Sequence, residues 1–251
     1  MTLKYDLEGS GPVVLLLHSS VCDRRMWQPQ TTPLLAAGFR VLRPDFRGYG
    51  DTPAPTAAYS DADDVRALLD ELDLATVHLV GASFGGRVAQ EVAARWPHRI
   101  ASLALVCAGA QGHPKTADVA AFGARENELI EARDLDAAVA LNVATWVGPA
   151  ATAPTREFVG VMQRRAFDLQ IDAPEVDSPD ADHDLAAITA PTLVVSGAHD
   201  LDYFTEIAAH LAKEIPGARH TVLDWAGHLP SLEHPARFNP LLLEFLSSQP
   251  R

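Results

Sequence analysis

Cysteine is almost missing from this chain: two in 251 residues, Cys22 and Cys107, with no C-x-x-C pair. Two such thiols supply neither a disulfide framework nor a zinc-ligand cluster. Basic residues are scarce as well, 20 Lys and Arg against 33 Asp and Glu, for a formal charge of −13. A surface of that sign repels phosphate backbones and anionic lipid, which argues against nucleic-acid and membrane partners. Long apolar runs are lacking too. The strongest, Val13 to Leu17, falls far short of the roughly 20 residues that span a bilayer. The opening stretch, Met1 to Gly9, is mixed polar and has no signal-peptide core. The expected compartment is therefore the cytoplasm.

Hydrophobic residues make up 47% of the chain and charged residues 21%, enough apolar material for a sizeable core. Strand and helix signals alternate through the first half. Val13-Val14-Leu15-Leu16-Leu17 has the continuous apolar character of a strand buried on both faces. A helix is predicted over Met26 to Ala37, closed by Gly38, and a strand over Phe39 to Arg43. A helix capped at Ser60 follows, then strands at Thr76 to Val80 and Ile100 to Cys107 with a helix between them. This rhythm predicts an α/β fold, a mostly parallel central sheet with helices on both faces.

From about Gly109 to Ala187 the rhythm stops. The segment is alanine-rich and helical, broken at Gly148-Pro149, Pro154, Pro174 and Pro179. It reads as a small helical lid over 110–187, inserted into a core formed by 1–109 and 188–251. Strand signals return at Pro191 to Val195 and His220 to Leu223, with helices at Phe204 to Ile215 and Pro235 to Leu246.

Gly81-Ala82-Ser83-Phe84-Gly85 carries the chemistry. It matches G-x-S-x-G between a strand and a helix, where small neighbours let a strained turn lift a hydroxyl above the sheet. A serine hydroxyl needs a base. His228, in Ala226-Gly227-His228-Leu229-Pro230, follows the last strand at the sheet edge where ligands of parallel sheets bind. His199 competes with it, but the adjacent Asp200 stands where an orienting acid is expected, with Asp202 as the second choice for that acid. His18, His78, His98 and His234 lack such a placement. An oxyanion hole needs two backbone N–H donors, assigned on the fold to Phe84 and Ser20.

These motifs resemble the α/β-hydrolase superfamily, in its serine hydrolase branch. Asp45-Phe46-Arg47-Gly48-Tyr49-Gly50 is similar to the family's D-x-R-G-x-G turn, where the acid and arginine brace the loop. Gly227-His228 with Glu233-His234-Pro235 resembles its closing pattern. The stretch His18 to Gln30, with Asp23, Met26-Trp27 and Pro29-Gln30, is similar to 3-oxoadipate enol-lactonases and related small esterases. Ser19 stands where many members carry glycine, and the similar lactonases lack that glycine too. Dehalogenases and epoxide hydrolases have an aspartate at the position of Ser83.

The resemblance implies a cofactor-free, metal-free hydrolase of a small ester or lactone, with Ser83, Asp200 and His228 as the triad. Trp27, Ser19 and Cys22 are the expected pocket residues, with Phe84 and lid side chains as further apolar walls; Cys22 would be a small filler there. Arg125, Arg133, Arg156, Arg164 and Arg165 of the lid could pair a substrate carboxylate or sit on solvated helix faces. No H-E-x-x-H motif suggests a metallohydrolase. Perhydrolase, cofactor-free haloperoxidase and C–C hydrolase chemistry would use the same triad, the small lid counting against the last. A non-catalytic binding protein on this fold has no need for all three residues. Oligomeric state is left open.

Overall fold

Short apolar runs at regular spacing set the frame. In the computed structural model, which describes residues 3–178 and 182–249, they form one seven-stranded sheet. Pro179, one of the expected lid breaks, lies outside the described residues, as do Met1 and Thr2. The strands are β1 (Tyr5–Glu8), β2 (Val13–Leu17), β3 (Arg40–Pro44), β4 (Val77–Ala82), β5 (Ile100–Val106), β6 (Thr192–Gly197) and β7 (Arg219–Leu223). Their order is β1-β3-β2-β4-β5-β6-β7, parallel throughout except that β1 runs antiparallel to β3.

The central strands show why the sheet is covered twice. In β2, Val13, Leu15 and Leu17 join one core cluster while Val14 and Leu16 join another on the opposite face. That split is the two-residue periodicity of a strand. Each fully buried leucine contributes about 2 kcal/mol relative to exposure. β4 and β6 run two residues beyond the expected ends, because Gly81 and Ala82 pair with Leu105 and Val106, and Ser196 and Gly197 with Val222 and Leu223. β1 gave no strand signal among the longer runs; its four residues alternate apolar and acidic, and it is only partly buried at the sheet margin.

Helices α1 (Gln28–Ala36), α2 (Asp61–Glu71) and α3 (Phe84–Arg95) connect the first strands. The single helix expected from Met26 is divided into a 3-10 turn, Arg24–Trp27, and α1. The cause is local. Asp23 caps the turn by accepting the Arg25 N–H, and Pro29 suits a helix start because it has no N–H to pair. Helices α4 (Ala117–Glu131), α5 (Leu135–Trp146) and α6 (Ala153–Gln170) fill the space between β5 and β6 in the chain. They share a small core of Leu129, Ala138 and Phe167. Gln170 and Arg165 of α6 donate to the Gly48 and Gly50 carbonyls, fastening these helices to the loop after β3. Helices α7 (Asp202–Glu214), α8 (Pro230–Glu233) and α9 (Pro235–Ser247) complete the chain. Among the described residues, no helix is long and apolar enough to cross a membrane.

Candidate active site

Parallel strands bring their carboxyl ends to one edge, and the chemistry-bearing residues collect there. Ser83 sits between β4 and α3 with φ of +50° and ψ of −112°, a left-handed region that side chains rarely adopt. Its N–H donates to Val106 O at 3.0 Å, and its carbonyl accepts from Gly109 N at 3.1 Å. The strained turn is thus held by the end of β5 and by the loop that follows it. Gly85 is required by close approach: a Cβ there would lie 2.5 Å from the Leu17 carbonyl oxygen.

His228 and Asp200 meet across the sheet edge. The Asp200 Oδ2 accepts a hydrogen bond from His228 Nδ1 at 2.7 Å, and Oδ1 accepts from Leu201 N at 2.8 Å. A carboxylate partner fixes the proton on Nδ1 and leaves Nε2 as the basic nitrogen. Asp202 is exposed at the start of α7, and His199 is exposed beside Asp200, so neither takes the expected roles. The imidazole is packed by Trp146 at 4.7 Å and Phe204 at 4.2 Å between ring centroids. Neither aromatic stood out in the sequence. Trp146 belongs to the inserted helices, whose register on the core has no local sequence signal.

Glu233 secures the histidine loop. Its two carboxylate oxygens accept the N–H groups of Gly227 and Leu229, both at 2.9 Å, one on each side of His228. All three of these residues are buried or nearly so, and Glu233 is only 3% exposed. Cys107, immediately after β5, has φ of +45° and lies beside the same loop. Burial, and next the Asp200 charge, push its thiol well above the ordinary range, so it is protonated. The Cys22 thiol is raised by burial in the same way.

The loop after β2 is braced by His18. Its Nδ1 donates to Ser19 O at 2.9 Å, and its Nε2 accepts from Phe46 N at 3.0 Å. Burial lowers the His18 pKa, against a raising influence from Asp45, which favours the neutral ring that these two bonds require. Ser19 O also accepts from Cys22 N at 3.0 Å. In a trans peptide the N–H points opposite the carbonyl, so these two bonds fix the direction of the Ser20 N–H. Gly85 N is consumed by His18 O at 3.1 Å, whereas Phe84 supplies the first N–H of α3, which has no partner within the helix. Asp45 accepts from Arg24 N and Asp51 N and pairs with the Arg24 guanidinium, while Arg47 forks onto Asp64 of α2. Both therefore brace the loop as expected.

The expected pocket residues are more enclosed than the sequence suggested. Ser19, Cys22 and Trp27 are fully buried; Ser19 Oγ and Trp27 Nε1 have no hydrogen-bond partner among the described residues. A cavity of about 390 Å³ reaches Phe84 and is bordered by Tyr49, Arg87 and Gln170, but not by those three. A larger, mainly apolar cleft of about 770 Å³ lies between the start of α6 and α8, and neither Ser83 nor His228 lines it. The five arginines of the inserted helical segment contact protein atoms: Arg125 with Glu128, Arg133 with Asp172, Arg164 with Asp136 and Asp168. Arg156 donates to the Val147 and Gly148 carbonyls and Arg165 to Gly50 O. Each therefore makes a bracing or solvated-face contact in this structure.

A parallel sheet with a strained serine at one strand end and a paired acid and histidine at others defines the class of α/β hydrolases. The model of the alpha/beta hydrolase family matches residues 14–241, and the chain belongs to that family. A protein of Variovorax paradoxus named as the carbamate hydrolase RutD is 34% identical over 98% of this chain and 97% of its own length. A 2-hydroxy-6-oxononadienedioate/2-hydroxy-6-oxononatrienedioate hydrolase of Cupriavidus pinatubonensis is 28% identical over 97% of this chain and 89% of its own. The enol-lactonase of Burkholderia xenovorans superposes with a TM-score of 0.79 at 28% identity, covering 98% of this chain and 96% of that one.

Proposed function

We propose that the protein is a cofactor-free serine hydrolase that cleaves a small carboxylic ester or lactone through an acyl-enzyme on Ser83. The observation that carries this reading is the buried His228–Asp200 pair at 2.7 Å, on the sheet edge that also holds the strained Ser83. His228 Nε2 takes the Ser83 proton as the hydroxyl attacks the carbonyl. The Phe84 and Ser20 amides receive the oxyanion, each such donor contributing about 3 kcal/mol to transition-state binding. His228 then protonates the leaving oxygen and activates the water that frees the acid. Asp200 holds the tautomer and stabilises the imidazolium. Helices α4 to α6 serve as a lid, with Trp146 supplying its contact to His228.

Carbamate cleavage is the second reading, favoured by the relative named for that activity, which matches nearly end to end. The chemistry differs only in the acyl group carried. C–C cleavage is less favoured, since the relative named for it is the longer protein. A panel of p-nitrophenyl esters, small lactones and alkyl carbamates tests the choice. The expected result is turnover of esters or lactones that Ser83→Ala abolishes. Turnover of the carbamates alone favours the second reading, and parent-level ester turnover by Ser83→Ala overturns both.

A further inference from the structure

Three neighbouring strand ends, those of β5, β6 and β7, carry Cys107, Asp200 and His228. The Cys107 Sγ, an Asp200 carboxylate oxygen and a His228 ring nitrogen lie within 4.8 Å of one another. Cys107 is 0% and His228 3% exposed. The sulfur lies 3.6 Å from Gly227 O and also hydrogen-bonds with Asp200 and the Gly197 backbone, and Asp200 Oδ2 faces His228 Nδ1 at 2.7 Å. The cluster is a mixed S, O and N donor set from residues far apart in sequence, which explains why no spacing motif announces it.

We infer that this cluster is an inhibitory site for a thiophilic divalent cation such as Zn²⁺ or Cd²⁺, held by Cys107 Sγ, Asp200 and His228 Nδ1. The inference rests on the triad assignment made above. Bonds of about 2.0 Å to N and O and 2.3 Å to S place tetrahedral ligands roughly 3.3–3.8 Å apart, so the present separations change by about 1 Å. Thiolate and imidazole together select Zn²⁺ and Cd²⁺ over the oxygen-seeking Mg²⁺ and Ca²⁺.

Occupation disables the base by reversing its tautomer. The metal takes the Nδ1 lone pair, so the ring proton resides on Nε2, the atom that must accept the serine proton. The thiol proton goes to water, the Nδ1 proton is lost and Nε2 gains one, giving a net release of one proton per ion. Asp200 simultaneously exchanges its hydrogen-bonding role for coordination.

The test uses the full-length enzyme with CdCl₂ as probe. Expected are a thiolate-to-cadmium ultraviolet charge-transfer band saturating at one equivalent and at least a tenfold fall in p-nitrophenyl ester turnover, reversed by EDTA. Cys107→Ser and Cys107→Ala keep their basal turnover and show neither effect, while Cys22→Ser shows both. Absence of the band in the parent, or its persistence in either Cys107 variant, overturns the site. If both Cys107 variants fail to fold, ¹¹³Cd NMR of the Cys22→Ser protein decides: a cadmium shift in the thiolate-ligated range supports the site, and a shift confined to the oxygen- and nitrogen-ligated range overturns it. A saturating band with turnover intact upholds coordination but overturns inhibition and the base role of His228.

Discussion

His18 donates to the carbonyl of its own neighbour, Ser19, at 2.9 Å, and so orients the peptide whose other end is the Ser20 amide. A buried side chain thereby sets a backbone direction. Replacing it by Ala should leave Ser83 in place but loosen the amide proposed as one oxyanion donor. His18→Ala is expected to lose about 10- to 300-fold in kcat with KM little changed, less than or up to the roughly 10²- to 10³-fold cost of removing such a donor outright. Steady-state kinetics on a p-nitrophenyl ester checks this; a KM effect alone would contradict it.

The same histidine makes a pH prediction for stability. Burial lowers the pKa of both His18 and His78, the latter bonded to Ser102 Oγ at 2.9 Å and packed on Phe39. A depressed histidine pKa means that the unfolded chain binds more protons as pH falls through about 6.5. Stability contributed by the neutral rings is therefore present above that pH and is lost as pH falls toward the folded values. Thermal unfolding should show Tm declining between about pH 6.5 and 5, before the carboxylate region is reached. His78→Asn should flatten that slope, and an unchanged slope would remove His78 from the account.

Asp200→Asn tests the orienting acid. The equivalent change in the chymotrypsin triad lowers kcat about 10⁴-fold by favouring the wrong tautomer. A loss of about 10³- to 10⁴-fold is expected here, with the fold intact by circular dichroism. Asp202→Asn, on an exposed residue outside the pair, should remain close to the parent.

Glu233 offers a test of loop positioning. Its two carboxylate oxygens accept the amides on both sides of His228. Glu233→Gln turns one acceptor into an NH₂ group facing an N–H, so one buried amide loses its partner, which should cost about 1–3 kcal/mol. Denaturant unfolding measures it, and an unchanged midpoint would contradict the bracing role.

Asp45 is a matter of stability rather than chemistry. It is fully buried, accepts two backbone amides and pairs with Arg24. Asp45→Ala should cost about 3 kcal/mol or more, as breaking a buried pair does. Denaturant unfolding measures it directly.

Much of this was legible because it is local. The serine turn needs a strand, small residues and a helix in sequence, and Gly81 to Gly85 supplies them with the flanking periodicity. Asp200 and His228 were legible as loop residues after strands, since parallel topology sends such loops to one edge. The long-range parts were not. Trp146 reaches His228 only through the docking of α5, and Cys107 joins Asp200 only because β5 and β6 are neighbours. Trp27 is an expected pocket residue on the resemblance, and its complete burial is decided by the layer packed above it, which no local signal shows. Arginine in a helical segment carries no sign of its partner, and all five in the inserted segment contact protein atoms.

Intact-protein mass spectrometry after treatment with a fluorophosphonate examines the central claim most directly. The account predicts a single adduct on Ser83, formed rapidly by the parent, greatly slowed in His228→Ala and missing in Ser83→Ala. An unmodified parent, or an adduct formed equally well without the Ser83 hydroxyl, would contradict it.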